Sequence, residues 1–394
     1  MANILYLSYD GMTDALGESQ VLSYLIGLAK SHKITLVSFE KKEAFISRGK
    51  RIEELCKEAK IKWYKINYTS KPPILSTIYD LFKLNRAVNN ITDYNIVHCR
   101  GYITSLIGLN IKIKKNIPFI FDMRGFWADE KLESGHWGGI LFKPIYNYFK
   151  SKEKRFLETA AAIISLTENG KSYIVDEFKI SKNKIHTIPT CVNLEVFKPY
   201  DNVKRNKIRQ KLGLGIDEKI LIYSGSVGGS YNPKIIIEAY REFKKYYSKT
   251  KLLILTKTIE SDKVIFNEFA EDVLIFSVDY SEVWEYLITA DLGLIFYTPG
   301  FSNIGRYPTK LAEYWACGLP LIIFNNVGDT NELLEKNPKY GFNYNNTVEL
   351  KNKLSKFNLN VDKVELRIFC EQKFSLENGI KFYNKIYKTL VNEK

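Results

Sequence analysis

Strand-length apolar runs alternate with helical stretches along nearly the whole chain, and the alternation restarts once. The first series of runs is Asn3–Ser8, Lys33–Phe39, Ile61–Ile66, Asn95–Cys99, Ile117–Asp122, Ala161–Leu166 and Lys184–Ile188. The second is Lys219–Ser224, Lys251–Thr256, Val273–Ser277, Asp291–Phe296 and Leu319–Phe324. Helical patterns such as Glu18–Lys30, Pro73–Asn90 and Asn232–Tyr247 fill the gaps. Strands that each feed a helix before the next strand form parallel sheets covered on both faces. Two such blocks predict an α/β chain of two doubly wound, Rossmann-like domains, each with its ligand-binding edge at the carboxyl ends of its strands.

Length agrees, because 394 residues exceed one ordinary hydrophobic core. The boundary is expected within Val192–Gly215, which carries Pro199, a charged run from Lys204 to Lys211 and Gly213-x-Gly215. The expected division is 1–195 and 196–374, with an amphipathic last helix, 375–394, packing back on the first domain. At 45% apolar and 26% charged residues the chain is globular rather than disordered. There is no apolar span of membrane-crossing length, and Met1–Ser8 reads as a strand closed by Asp10, not as a signal peptide. Cys56, Cys99, Cys191, Cys317 and Cys370 lie far apart without metal spacing and read as buried thiols of a cytoplasmic protein. The net charge of +14 favours anionic partners. An AT-rich genome accounts for the Lys, Asn, Ile and Tyr content equally well. Nucleic acid fits poorly, because the basic residues are scattered and no recognition motif is present.

The most informative stretch is Tyr307–Pro320, where Lys310 and Glu313 stand three residues apart at the start of a predicted helix. That spacing puts both on one helix face. A lysine beside a helix N-terminus, outside the carboxyl end of a strand, suits an anion, above all a nucleotide diphosphate. Ser224–Asn232 supplies small residues and a helix start, a cradle of backbone amides for phosphate. Asp10-Gly11-Met12-Thr13-Asp14, followed by Gly17, is a loop between a strand and a helix that either approaches a ligand or simply turns. His98 and Arg100 end one strand, with His98 expected to face a cleft. Arg124, Asp129 and Glu130 follow the next strand, where Arg124 can meet phosphate or a carboxylate.

Taken in order, Asp-Gly-Met-Thr-Asp, His98, Asp-Met-Arg-Gly-Phe-Trp, Tyr-Ser-Gly-Ser, Pro-Thr-Lys-Leu-Ala-Glu-Tyr and Ala-Cys-Gly-Leu-Pro resemble glycosyltransferase family 4. The resemblance spans nearly the whole chain, and 308–320 is its specific part. It implies the GT-B fold, two facing Rossmann-like domains, and transfer of a sugar from a nucleotide diphosphate sugar with retention of configuration. It implies that Lys310 contacts the donor diphosphate, Glu313 the ribose hydroxyls, and His98 the donor sugar, the three making up the catalytic set. Gly225, Ser226, Gly228, Tyr231, Ser277, Val278, Thr309 and Leu311 are implied on the donor side. Gly11, Gly17, Arg100 and Arg124 are implied on the acceptor or sugar side. Three positions depart from the pattern. Gly305 stands where the family commonly has a first Glu, and Ser226 and Tyr231 stand where an Arg and Lys pair is common.

No Asp-x-Asp occurs, so transfer is expected to proceed without metal or other cofactor, with Lys310 and helix N-termini facing the leaving diphosphate. UDP is preferred to GDP as the nucleotide on family frequency. The acceptor is expected to be a glycan or a polyprenyl-diphosphate-linked saccharide, in bacterial surface-polysaccharide assembly. Leu141–Arg155 mixes aromatics with cations, Pro73–Arg86 does so more weakly, and Lys112, Lys114 and Lys115 add charge. These stretches fit an anionic membrane face or plain solvated helices. The expected location is cytoplasmic, peripheral on the inner membrane face. The alternatives are a non-catalytic nucleotide-sugar-binding subunit, prompted by Gly305, and a nucleotide-sugar 2-epimerase.

Overall fold

A computed structural model describes residues 1–227 and 232–392. The chain folds as two compact units, Met1–Pro189 joined by the segment from Leu376, and Thr190–Ser375.

The first unit is built on a seven-stranded sheet of order β3-β2-β1-β4-β5-β6-β7. Its strands are β1 (Asn3–Ser8), β2 (Lys33–Glu40), β3 (Lys62–Asn67), β4 (Ile96–Arg100), β5 (Phe119–Asp122), β6 (Ala162–Ser165) and β7 (Ile185–Thr187). All neighbours pair in parallel. The central strands are buried on both faces, as parallel strands under two helix layers must be. The chain winds from β1 towards β3 in one direction and from β4 towards β7 in the other. The order therefore reverses between β1 and β4, and a ligand crevice is expected outside their carboxyl ends. The last helix, Leu376–Asn392, lies against helix Ser23–Leu28 and strand β4 of this unit.

The second unit repeats the plan with six parallel strands in the order β10-β9-β8-β11-β12-β13. These are β8 (Lys219–Ser224), β9 (Thr250–Leu255), β10 (Val273–Phe276), β11 (Leu292–Phe296), β12 (Leu321–Phe324) and β13 (Gly341–Tyr344). Its order reverses between β8 and β11. Strand β13 is absent from the periodicity of the sequence because it is four residues long, begins at a glycine and carries Asn343. That side chain is buried, and its amide nitrogen donates to the Thr330 hydroxyl (3.1 Å) and the Asn325 carbonyl (3.3 Å). The charged run at Lys204–Lys211 is not a linker. It belongs to helix Asn202–Lys211, whose Arg205 and Arg209 turn inward and both bind Asp291, at 2.9 and 3.0 Å. All five cysteines are buried thiols.

Candidate functional site

In the second unit the candidate crevice lies beyond the carboxyl ends of β8 and β11, the paired strands at which the order reverses. Strand β8 ends at Ser224, and its last amide donates to the Tyr314 hydroxyl (3.0 Å). Tyr314 lies on helix Thr309–Ala316, so one hydrogen bond ties that helix to the strand end. The next residue, Gly225, has φ +145°, and a Cβ there would stand 2.7 Å from Lys310 Nζ and 2.8 Å from its Cε. Only glycine lets the lysine lie flat across the loop. The Nζ then sits 5.7 Å from the Tyr223 ring centroid, a cation–π distance. The Tyr223 hydroxyl donates to the Ser226 carbonyl (2.7 Å), which fixes the loop from below.

One turn further along the helix, Glu313 faces Tyr280, whose hydroxyl donates to Glu313 Oε1 at 3.4 Å. Burial raises the Glu313 carboxyl to about 7, with the Lys310 charge and the Tyr280 hydroxyl opposing the rise. Burial likewise lowers the Lys310 amine, and the Glu313 charge resists this. The pair is partly exposed beside a helix N-terminus, where an anion gains. Thr309 is partly exposed at the first helical position. Ser277 is exposed and Val278 partly so, just past the end of β10. Leu311, by contrast, is a core residue whose amide already donates to the Pro308 carbonyl (3.2 Å). Its side chain does not face the crevice. Gly305 is buried in the turn Phe301–Gly305 that precedes the helix. Gly228 and Tyr231 lie outside the described residues.

In the first unit, the loop after β1 is clamped by a carboxylate that sequence patterning did not single out. Glu40, at the end of β2, accepts from the amides of Met12 (2.8 Å) and Thr13 (3.0 Å) and from the hydroxyls of Thr13 and Ser38 (both 2.6 Å). Gly11 and Gly17 are packed together beneath it. A Cβ on Gly17 would stand 1.9 Å from the Gly11 carbonyl oxygen. Arg100, at the carboxyl end of β4, reaches across this loop with Nε to Asp10 at 3.0 Å. Arg124 sits at φ +56°, with its guanidinium 3.9 Å from Asp122.

His98 is corrected by the structure. It faces the interior, not solvent, and is 1% exposed. Its register opposite Tyr6 in β1 stacks the two rings at 4.3 Å. Nδ1 bonds the Tyr387 hydroxyl at 2.7 Å, and Nε2 lies 3.4 Å from Asp122 Oδ2, which also accepts from Tyr383 at 3.1 Å. Burial lowers the His98 pKa. Burial alone would raise Asp122, but Arg124, His98 and Arg100 outweigh it and hold the carboxyl below its ordinary value. The histidine is thus the centre of a polar core that fastens the last helix to the sheet.

The model of Glycosyltransferase Family 4 matches residues 17–196, and that of Glycosyl transferases group 1 matches residues 204–365. The chain belongs to glycosyltransferase family 4. A curated relative, the chitobiosyldiphosphodolichol beta-mannosyltransferase of Candida albicans, is 28% identical over 196 residues, covering 46% of this chain and 42% of that protein. The chain thus spans less than half the length of this curated relative. Sucrose-phosphate synthase from Thermosynechococcus elongatus superposes with a TM-score of 0.73 at 15% identity over the full length of both chains. Anabaena HepE, solved with UDP and glucose, gives 0.68 at 13% identity, covering 99% of this chain and 100% of HepE. At such identities these two structures speak to the fold alone, and the fold of this family 4 chain is GT-B.

Sequence reasoning missed three supporting side chains, Glu40 in the first unit and Tyr223 and Tyr314 in the second. An acid closing an apolar strand was the one available signal for Glu40. The tyrosines gave none, because each acts through a partner remote in sequence.

Proposed function

We propose that the chain is a retaining glycosyltransferase that takes its sugar from a nucleotide diphosphate sugar, UDP ahead of GDP, without a metal. The observation that carries this reading is Lys310 laid across Gly225 beside Glu313, at the switch point of the second sheet. In this reading Lys310 and the start of helix Thr309–Ala316 receive the diphosphate, and Glu313 accepts hydrogen bonds from the ribose hydroxyls. Ser226 steadies the phosphates, and the segment at Ser277 and Val278 borders the base. The bond from the anomeric carbon to the diphosphate oxygen breaks first, leaving an oxocarbenium-like sugar. The acceptor oxygen bonds to the same face, and its proton passes to the departing phosphate. Lys310 offsets the charge that grows on that leaving group, an interaction stronger in the transition state than before it.

Arg100, Arg124 and the clamped loop at Gly11 and Gly17 form the acceptor or sugar side. His98 is a positioning residue that sets β4 and Asp122. The acceptor is a glycan or a lipid-linked saccharide of surface-polysaccharide assembly. The lipid-diphosphate substrate class in the Candida relative's name and the UDP bound to HepE favour these choices. Gly305 favours a second reading, a nucleotide-sugar-binding subunit without turnover. Release of nucleotide from a donor sugar excludes it.

The deciding experiment is calorimetric titration of UDP and GDP, without metal, into wild type and Lys310→Ala. One nucleotide is expected to bind and to lose about tenfold or more in the variant, on the order of 1.4 kcal/mol. Binding of neither nucleotide, or equal binding by the variant, removes Lys310 from the diphosphate.

A further inference from the structure

Helix Leu75–Asn89 is inverted relative to an ordinary surface helix. Its inward face carries Ser76 and Asp80 along with Leu84 and Val88. Its outward face carries Leu75, Ile78, Tyr79 and Phe82, which are 56–63% exposed. Their spacing is one stripe along the first two turns. A second exposed apolar point is Ile140-Leu141, 90% and 88% exposed, immediately before helix Lys143–Thr159. The aromatic stretch at Leu141–Arg155 otherwise turns out to be a normal amphipathic helix with Phe149, Phe156 and Leu157 inside.

Topology brings the two points together. The crossovers β3 to β4, β4 to β5 and β5 to β6 all advance in the same direction across the sheet, so right-handed connections place their helices on one face. Helix Leu75–Asn89 and helix Lys143–Thr159 each pack against helix Gly101–Lys115, which lies between them. Each also begins at the carboxyl edge of the sheet, since each leaves a strand's carboxyl end and runs back to the next strand's amino end. Stripe and tip therefore share that edge with Arg100, Arg124 and the loop at Gly11.

Charge singles out the occupant. From Tyr68 to Thr92 the one acid is Asp80, fully buried and bound by Lys83, while Lys71 and Arg86 are exposed. From Ser134 to Lys152 there is no acid, and Lys143 is exposed. Exposed apolar side chains within two stretches whose own exposed charges are all cations suit an anionic interface.

We propose that the carboxyl edge of the first unit docks on an anionic lipid bilayer, with Leu75, Ile78, Tyr79, Phe82, Ile140 and Leu141 entering the headgroup region. The surface stands on its own exposure and charge and does not depend on the nucleotide reading. A lipid-linked acceptor would meet the acceptor loops without leaving the membrane.

Cosedimentation tests the proposal, with vesicles of phosphatidylcholine alone and of phosphatidylcholine with phosphatidylglycerol. Wild type is expected to pellet with the anionic vesicles and far less with the neutral ones. Ile78→Ser/Phe82→Ser and Ile140→Ser/Leu141→Ser are each expected to weaken that partition about tenfold with an unchanged melting curve. The proposal is overturned if wild type stays in solution with both vesicles, or if both double variants pellet as wild type does. It is also overturned if the stripe instead mediates a concentration-dependent dimer that the substitutions dissolve. Nucleotide titration of the same proteins without lipid separates the two readings. Vesicle binding without nucleotide binding refutes the transferase reading and leaves the docking edge intact.

Discussion

Glu313 is the residue whose chemistry is most exposed to test. Its ordinary carboxyl titrates near 4.3, and burial pushes it up to about 7. The folded chain therefore binds a proton there that the unfolded chain has already lost. This contribution to stability is full below the unfolded value and declines as pH rises through the folded value, a window of about 4 to 7. Ribose hydroxyls donating to the carboxylate would favour its charged form and lower that pKa. Nucleotide binding near pH 7 should then release a proton from Glu313, seen as a dependence of binding heat on buffer ionisation enthalpy. A diphosphate acts on Lys310 in the opposite sense, favouring proton uptake. Glu313→Gln should therefore lose the release and keep any uptake, and identical buffer dependence in both proteins takes Glu313 out of the ribose contact. At this scale the sequence showed the pair but not its surroundings. Helical spacing is enough to place Lys310 and Glu313 together, whereas the need for Gly225 arises from a loop folded over a side chain 85 positions away in the chain. His98 shows the opposite failure, because the period of a strand buried on both faces does not say which face a polar residue occupies.

Among the elements, helix Thr309–Ala316 is the one on which the second unit's crevice depends. The Tyr314 hydroxyl accepts the last amide of β8 and leans on the Leu294 carbonyl of β11 (3.4 Å), joining the helix to both strands at the switch point. Tyr314→Phe keeps the ring packing and leaves the Ser224 amide without that acceptor. It should cost about 1–3 kcal/mol in urea unfolding. A variant as stable as wild type would mean that water replaces the hydroxyl. Twelve of the thirteen strands are visible in the sequence as apolar runs with turn-forming flanks. The exception, β13, is an edge strand too short for periodicity to register, with a buried asparagine in it. Helix Asn202–Lys211 is hidden for a different reason. Its inward contacts come from guanidinium groups paired to Asp291, so its composition looks like a solvated linker although its arginines are buried. The helix Leu75–Asn89 shows that aromatic content alone is a poor guide to exposure, since the richer stretch at Leu141–Arg155 still turns Phe149 into the core while Tyr79 and Phe82 of the weaker one both face outward.

For the molecule as a whole, the ownership of the last helix matters most. Its Tyr383 and Tyr387 hydrogen-bond Asp122 and His98 in the first unit, although the chain reaches it from the second. Removing the segment from Leu376 onward should strip hydrogen-exchange protection from β1, β4 and β5 while β8, β11 and β12 keep theirs. Equal losses in both units would show that the helix stabilises the protein generally rather than one sheet. The second unit is contiguous, and the two segments that bound it pair within it, the Val192 amide donating to the Phe374 carbonyl at 2.8 Å. It is in effect an insertion into the first. A ribosome delivers the two in an unequal order. The second unit can complete its core as soon as Ser375 has emerged, whereas the first unit, begun earlier, must hold a histidine and an aspartate open in its interior until the segment from Leu376 is synthesised. The half that is made first is thus the half that finishes last.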